Sequence, residues 1–123
     1  MRLLLLLYFI VGCASAQSIN PVYSVERVLT EQEKLDKKQI SVKGYFVFEF
    51  ENHNLFSNYI SYKRHNEKCL SLELLRKDVN LYKKYNKRKV IITGKFIKDF
   101  CTVDMICTSS CSQVGLVDIT IAQ

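Results

Sequence analysis

The sequence contains nearly the same phrase twice, as KKQISVKGYF at residues 37–46 and as KRKVIITGKF at residues 87–96. Each copy opens with a basic pair and then alternates apolar side chains up to a glycine and a phenylalanine. A period of two is typical of a strand buried on one face, and glycine inside such a strand marks a bulge or sharp bend. The phrase therefore predicts two long, bent strands that curl around one core. The expected inward residues are Ile40, Val42, Gly44, Phe46, Phe48 and Phe50 in the first strand, and Val90, Ile92, Gly94 and Phe96 in the second.

The rest of the chain supplies the other predicted elements. Residues between the inward positions, Tyr45 and Val47 among them, are expected to face solvent, and so are Cys69 and Ser71 in the alternating segment CLSLEL. In chain order, the remaining elements are a helix over 23–34 capped by Ser24, with a second short turn at Thr30, a short strand over 54–58, a strand over 69–74, a helix over 75–82 and a strand over 115–123.

This order of elements predicts a mainly β fold. The specific prediction is a small five-stranded OB-like Greek-key barrel, with an N-terminal helix and a short helix between strands 3 and 4. A chain of 123 residues falls within the usual size of one domain. Residues 17–123 are therefore expected to form a single OB-like domain.

The first residues, MRLLLLLYFIVGCASAQ, have the layout of a secretory signal, with Arg2, an apolar run and then small residues. The apolar run is too short to span a bilayer. Cleavage after ASA would make residues 1–16 a signal peptide, whereas IVGC resembles a bacterial lipobox, which would make residues 1–12 the signal and Cys13 the lipidated N-terminus. We therefore expect an exported protein, either a periplasmic or outer-membrane lipoprotein or, alternatively, a secreted protein.

Four further cysteines, Cys69, Cys101, Cys107 and Cys111, remain after either cut. In an oxidising compartment they indicate two disulfides. Four thiolates could also hold zinc, but the chain has no C-x2-C pair of the kind that structural zinc sites use. Four cysteines allow three pairings. The strand order favours a link from Cys69 to the loop after the fourth strand and leaves the other pairings open.

The segment VYSVERVL…LDKKQISVKGYFVFEFENHNLF, followed by YNKRKVIITGKF, resembles a group of small, mostly uncharacterised bacterial exported proteins with OB-like domains. Their pattern is a short helix, G-K-x-V-x-V-x-G, an acidic-aromatic stretch ending E-F-E, and Y-x-x-K-x-V-x-V-x-G-x-F. The resemblance covers residues 22–100 and implies an OB-like fold and export, but no activity. The chain departs from the pattern at Lys37-Lys38, where a Gly-Lys turn is usual, and in the tail CTVDMICTSSCSQ, which replaces a glycine-rich loop.

Few residues are candidates for catalysis. Glu49, Glu51 and His53 stand at i, i+2 and i+4, a row that could bind a metal ion but is more typical of a solvent-facing strand surface. Adjacent carboxylates on one strand face do not flank a scissile bond, and neither His53 nor His65 lies beside a nucleophile motif. We therefore expect no catalytic residues, no metal site and no cofactor, and we predict that the protein is not an enzyme.

Two basic segments that contain tyrosines are the candidates for ligand binding. They are YISYKRH at residues 59–65 and YKKYNKRK at residues 82–89. Basic residues interleaved with aromatic ones are typical of grooves that bind anionic chains, and the net charge of +6 favours an acidic partner. The candidate anion-binding residues are Tyr59, Tyr62, Lys63, Arg64, Lys83, Lys84, Lys87 and Arg88.

Together these features predict a non-catalytic binding or interaction module of the cell envelope. The expected partner is an envelope protein, an anionic glycan or a lipid headgroup, and contact with the membrane is expected only through a lipid anchor. The alternative is an OB-fold protein that binds oligonucleotides or another polyanion. Nucleic acid ranks lower as a partner, because an exported protein meets little of it.

Overall fold

The structure is a computed structural model that describes residues 21–50, 52–101, 111 and 113–123. The predicted signal sequence, Cys13, Glu51 and Cys107 lie outside the described residues. The elements in chain order are β1 Val22–Ser24, α1 Val25–Thr30, α2 Gln32–Leu35, β2 Gln39–Glu49, β3 Asn52–Phe56, α3 Tyr59–Lys63, β4 Cys69–Leu72, a 3₁₀ turn Arg76–Asp78, α4 Val79–Tyr85, β5 Arg88–Ile97 and β6 Gly115–Ala122.

The described strands form one mixed sheet in the order β1-β2-β3-β4-β6-β5. Because β5 also pairs with β2, the strands β2, β3, β4, β6 and β5 close a ring of hydrogen bonds, and β1 lies outside it as a short parallel partner of β2. β4 and β6 are parallel, and the other contacts within the ring are antiparallel. The prediction of a mainly β fold is confirmed, and α4 lies between β4 and β5, where the sequence predicts a short helix.

The two copies of the repeated phrase pair with each other. β2 and β5 are antiparallel, and Val42 lies opposite Ile92, which is its equivalent in the other copy. Gly44 lies opposite Val90. Gly94, the glycine of the second copy, lies opposite Ile40, which is the equivalent of Val90 in the first copy. The copies are therefore related by a local two-fold axis that passes between the central pair.

The basic residue that opens each copy adopts the same uncommon conformation. Lys37 has a φ of 68° and Lys87 a φ of 61°, in the left-handed region that residues other than glycine rarely adopt. The N–H of Lys37 donates to the carbonyl oxygen of Phe96, and the N–H of Lys87 donates to that of Phe46, both at 2.7 Å. The first residue of each copy is thus bonded to the last residue of the other, which accounts for the length over which the two phrases agree.

Gly44 lies where one edge of β2 changes its partner, because β1 pairs with β2 up to Lys43 and β3 pairs with it from Tyr45. A Cβ atom on Gly44 would lie 2.5 Å from the carbonyl oxygen of Phe56. The equivalent Gly94 lies at a register shift between β5 and β6. Both glycines therefore allow a neighbouring strand to approach closely at a point where the pairing changes.

The inner side of the ring holds the main core, which combines side chains from all five ring strands with side chains from α1, α2 and α4. Phe50 is predicted to face inward but is 91% exposed, because β2 ends one residue earlier, at Glu49. The fully buried side chains with the largest volumes are Phe46, Phe96, Leu35, Leu55, Leu70, Ile92 and Leu116.

A second buried cluster lies on the outer side of β2, β3 and β4. The helix α3, which the sequence pattern does not predict, packs Tyr62 against this cluster, and Cys111 contacts it as well. The outer side of these strands is therefore covered instead of facing solvent. The prediction of exposure is wrong at Tyr45, Val47, Cys69 and Ser71, all of which are buried.

The N-terminal segment also differs from the predicted continuous helix, because its first residues form β1 and Glu31 interrupts the helix between α1 and α2. Ser24 caps α1 as predicted, with its hydroxyl oxygen accepting a hydrogen bond of 3.1 Å from the N–H of Arg27. Thr30 does not cap the second helix, because its hydroxyl donates to the carbonyl oxygen of Arg27 at 2.9 Å.

Candidate functional site

The predicted anion-binding residues lie on three elements that meet at one end of the sheet. Tyr59, Tyr62, Lys63 and Arg64 belong to α3 and its C-cap. Lys83 and Lys84 lie in the last turn of α4, Lys87 lies in the turn before β5, and Arg88 is the first residue of β5. We call this region, together with the C-terminal end of β2, the cationic end. Two segments that are separate in the sequence are thereby brought to one part of the molecule.

Local side-chain hydrogen bonds hold these elements in place. The Oδ1 atom of Asn58 accepts a hydrogen bond of 2.8 Å from the N–H of Ser61, which caps α3. The Oδ1 atom of Asn86 accepts a hydrogen bond of 2.7 Å from the N–H of Phe48, which attaches the turn after α4 to β2. Asn58 is the sequence signal that indicates this helix, which strand periodicity does not predict.

Glu49 is the residue that connects α3 with the turn before β5. The hydroxyl of Tyr62 donates a hydrogen bond of 2.9 Å to Oε2 of Glu49, and Nζ of Lys87 lies 3.3 Å from the same oxygen. Nζ of Lys87 also lies 5.9 Å from the centre of the Tyr62 ring, within the range of a cation–π interaction. One carboxylate, one phenol and one ammonium group therefore form a connected unit.

These contacts change the acidity of all three groups. Partial burial alone would raise the pKa of Glu49, but the hydrogen bonds from Tyr62 and Lys87 outweigh it, and the pKa lies below its ordinary value of 4.5. Burial and the bond to the carboxylate raise the pKa of Tyr62. The bond to Glu49 raises the pKa of Lys87. The carboxylate is therefore ionised, and both partners keep their protons, near neutral pH.

The ring of Tyr62 also belongs to an aromatic cluster between α3 and the outer side of β2 and β3. The ring of Tyr62 lies 5.6 Å from that of Tyr45 and 5.5 Å from that of Phe56, measured between centroids. The ring of Tyr59 meets Tyr45 edge-on at 5.6 Å and remains 52% exposed. Such pairs add to the stability gained from burial alone. The cluster fixes α3 on the sheet and leaves Tyr59 accessible to a ligand.

The other basic side chains of the cationic end are exposed and available to a ligand. Unlike Lys87, they form no ion pair with another of the described residues. Lys84 does contact the ring of Tyr85, with its Nζ 5.4 Å from the ring centre. The end therefore presents positive charge to solvent. The exposed basic residues are Lys63, Arg64, Lys83, Lys84 and Arg88.

The predicted row of Glu49, Glu51 and His53 is not a row on one strand. β2 ends at Glu49, and His53 belongs to β3, where it lies opposite Phe48 and stacks on its ring at 5.4 Å. Glu49 faces Tyr62 instead, and Glu51 lies outside the described residues. Burial lowers the pKa of His53. The hairpin turn thus separates the two described side chains that the prediction placed together.

One of the predicted disulfides links the outer side of the sheet to the segment before β6. Cys69 and Cys111 form this bond, with their Cα atoms 5.3 Å apart, which confirms the favoured link from Cys69 to the loop after the fourth predicted strand. Cys101 is disulfide-bonded as well. Cys69 belongs to the cluster under α3, so the cross-link lies next to the aromatic support of the site.

No group of three or more His, Cys, Asp or Glu side chains in residues 21–50, 52–101, 111 and 113–123 is placed to hold a metal ion. Within the same part of the chain, no helix has the length and apolar character that a membrane crossing requires.

The substitution Glu49→Gln is expected to lower the free energy of unfolding by roughly 0.5 kcal/mol near neutral pH, because a partly exposed ion pair is weakened by solvent. Since folding lowers the pKa of Glu49, the stabilisation by its ionised form is fully present above pH 4.5 and is lost as the pH falls through the folded-state pKa. Urea unfolding of both proteins from neutral to acid pH tests this. The difference should shrink with acidification, and a difference that grew would contradict the assignment.

Comparison of the chain with protein-family models, with curated proteins and with solved structures finds no match. The resemblance to exported OB-like proteins therefore stays a prediction from sequence. The functional assignment rests on the geometry and charge of the cationic end.

Proposed function

We propose that the protein is an exported, non-catalytic binding module that holds an anionic ligand at its cationic end. The observation that carries the proposal is the convergence of two basic, tyrosine-containing segments on one end of β2, where Glu49 joins them. Convergence of like charge on one surface is unfavourable for the folded chain alone. An anionic partner would offset that repulsion.

The architecture supports an OB-like description of the module. When β2, β3, β4, β5 and β6 are counted as strands one to five, a helix follows the third strand, as the OB-fold order requires. The first strand pairs with both the second and the fourth, and the fifth joins the third to the fourth. The ring of strand pairings therefore supports the proposal of an OB-like fold.

The position of α3 argues for a ligand site on the rim of the sheet. OB-folds commonly bind their ligands on the face of strands two and three, which correspond here to β3 and β4. Tyr62 and the Cys69–Cys111 disulfide pack over the outer side of these strands. A ligand would therefore contact the exposed side of α3, the last turn of α4 and the start of β5.

Export and the absence of catalysis are part of the proposal. The signal-like residues 1–16 support export, and so does the Cys69–Cys111 disulfide, because such bonds persist in oxidising compartments. The carboxylate of Glu49 is engaged by Tyr62 and Lys87, so it is poorly suited to act as a general base. An anionic glycan, a lipid headgroup or an acidic envelope protein fits the charge of the site.

The alternative function is binding of oligonucleotides, and one observation favours it. Tyr59 is half-exposed and stands edge-on to Tyr45, next to Lys63 on the same helix. Exposed aromatic rings beside basic groups provide stacking surfaces for single-stranded bases. Competition between a single-stranded oligonucleotide and an anionic glycan for the same site would rank the two ligands.

The decisive experiment for the proposed function measures heparin binding by fluorescence titration at several salt concentrations. The double variant Lys63→Gln/Lys84→Gln is expected to bind roughly tenfold more weakly at physiological salt and with a shallower salt dependence, because two charge contacts are lost. The matched control is Lys38→Gln/Lys95→Gln, which removes the same charge at the opposite end of β2 and β5. Equal weakening by both variants would contradict a site at the cationic end.

A further inference from the structure

The cationic end also carries exposed apolar side chains. Phe50 is 91% exposed, Ile60 is 59% exposed and Tyr59 is 52% exposed. Leu81 on α4 is 40% exposed. Single exposed apolar residues need no explanation, but several in one region of a small protein indicate an interaction surface.

Three of these side chains lie on the two elements that Glu49 connects. Phe50 follows Glu49 directly at the end of β2, and Glu49 accepts the hydrogen bond from Tyr62 on α3. Tyr59 and Ile60 form the first turn of the same helix, and the ring of Tyr59 lies 6.5 Å from that of Tyr62. The bond between Glu49 and Tyr62 therefore joins the two elements that carry Phe50, Tyr59 and Ile60.

Each helix places basic side chains next to its exposed apolar ones. Lys63 lies three residues after Ile60, and Arg64 four residues after it, so both are neighbours of Ile60 on the surface of α3. Lys84 lies three residues after Leu81 on α4. The surface thus combines apolar tips with flexible cationic groups, the combination found on proteins that lie in the interface of anionic membranes.

We infer that the cationic end docks the folded domain onto the surface of a membrane rich in anionic phospholipid, with Phe50 and Ile60 entering the headgroup region. The inference rests on the proposed function and names its ligand. A soluble polyanion would satisfy the basic groups but would leave the apolar tips in water. A bilayer accepts both, because Lys and Arg pair with anionic headgroups while aromatic and aliphatic side chains leave water.

The docking surface belongs to the folded domain itself. Sequence pattern alone attributes membrane contact to a lipid at Cys13, whereas Phe50, Ile60 and the basic residues would act with or without that lipid. Two weak attachments to one membrane reinforce each other, because the second forms at a high effective concentration. A single acyl chain by itself gives only marginal, reversible binding.

The test is cosedimentation of the chain carrying Cys13→Ser, which has no acyl chain at that position and is the wild type of this comparison, with phosphatidylcholine vesicles prepared with and without phosphatidylglycerol. The same proteins are titrated with heparin. Wild type should bind the anionic vesicles and not the neutral ones. Lys63→Gln/Lys84→Gln should weaken vesicle binding roughly fivefold for each charge removed. Phe50→Ser should weaken vesicle binding roughly tenfold and leave heparin affinity unchanged.

Val22→Ser is the matched control for the loss of an exposed apolar side chain, because Val22 is 46% exposed on β1, away from the cationic end. It should bind vesicles as wild type does. If Phe50→Ser binds anionic vesicles like wild type while the double lysine variant weakens both ligands, docking to a membrane is overturned and the proposed anionic site stands. If the double lysine variant changes neither ligand, both the docking and the proposed function fail.

Discussion

Removal of the Cys69–Cys111 disulfide is expected to lower the free energy of unfolding by about 4 kcal/mol, the entropic value for a cross-link between residues separated by 42 positions. The bond joins β4 to the segment that leads into β6, so without it the parallel pairing of these strands must form without a covalent constraint. Parallel pairs are the less stable kind of ladder. The effect is a large part of the total stability of a small domain.

The experiment compares urea unfolding of wild type with Cys69→Ala/Cys111→Ala, followed by circular dichroism under non-reducing conditions. Alanine leaves no free thiol and no buried hydroxyl at Cys69, which is 1% exposed. The variant retains Cys101, so the comparison isolates one bond, which chemical reduction of the whole protein does not. A decrease below about 1 kcal/mol would show that the unfolded chain is constrained by other means.

The substitution Gly44→Ala is expected to lower the free energy of unfolding by about 3 kcal/mol, at the upper end of overpacking effects. The added Cβ would lie 2.5 Å from the carbonyl oxygen of Phe56 and 2.8 Å from Cγ of Leu55. The carbonyl belongs to the backbone of β3, which cannot move without breaking its pairing with β2. Strain is therefore spread through the hydrogen-bonded ring.

Replacing glycine by alanine inside a strand otherwise raises the free energy of unfolding by roughly 0.5–1 kcal/mol. A decrease for Gly44→Ala would therefore indicate steric overlap. Lys43→Ala is the control, since Lys43 is the exposed neighbour of Gly44 on β2 and surface substitutions usually change stability by less than about 0.5 kcal/mol. If Gly44→Ala were neutral or stabilising in thermal and urea unfolding, β2 and β3 would not approach each other as closely as described.

The repeated phrase predicted its own strands well, because one-sided burial leaves a period of two in the local sequence. Val42 and Ile92, at the centres of the two copies, are both fully buried. The local pattern does not indicate that the two copies pair with each other. That pairing depends on the register Val42 opposite Ile92 and on the reciprocal bonds of Lys37 and Lys87.

The outer side of the sheet shows where periodicity fails. Tyr45 and Val47 alternate with inward residues and would face solvent in an isolated sheet, but α3 covers them. Period two distinguishes the faces of a strand, and it carries no information about which face another element covers. The helix itself is short, with five residues, so its own periodicity is too brief to detect.

The sequence by itself determined the main strands, the oxidisable cysteines and the basic, tyrosine-containing segments, because each of these is a property of neighbouring residues. Only the tertiary structure decided that the basic segments share one end and that Glu49 joins Tyr62 to Lys87. The contact with Tyr62 links residues 13 positions apart, and that between Phe48 and Asn86 links residues 38 positions apart. Such contacts depend on how the chain closes its ring, and local side-chain patterns do not encode that closure.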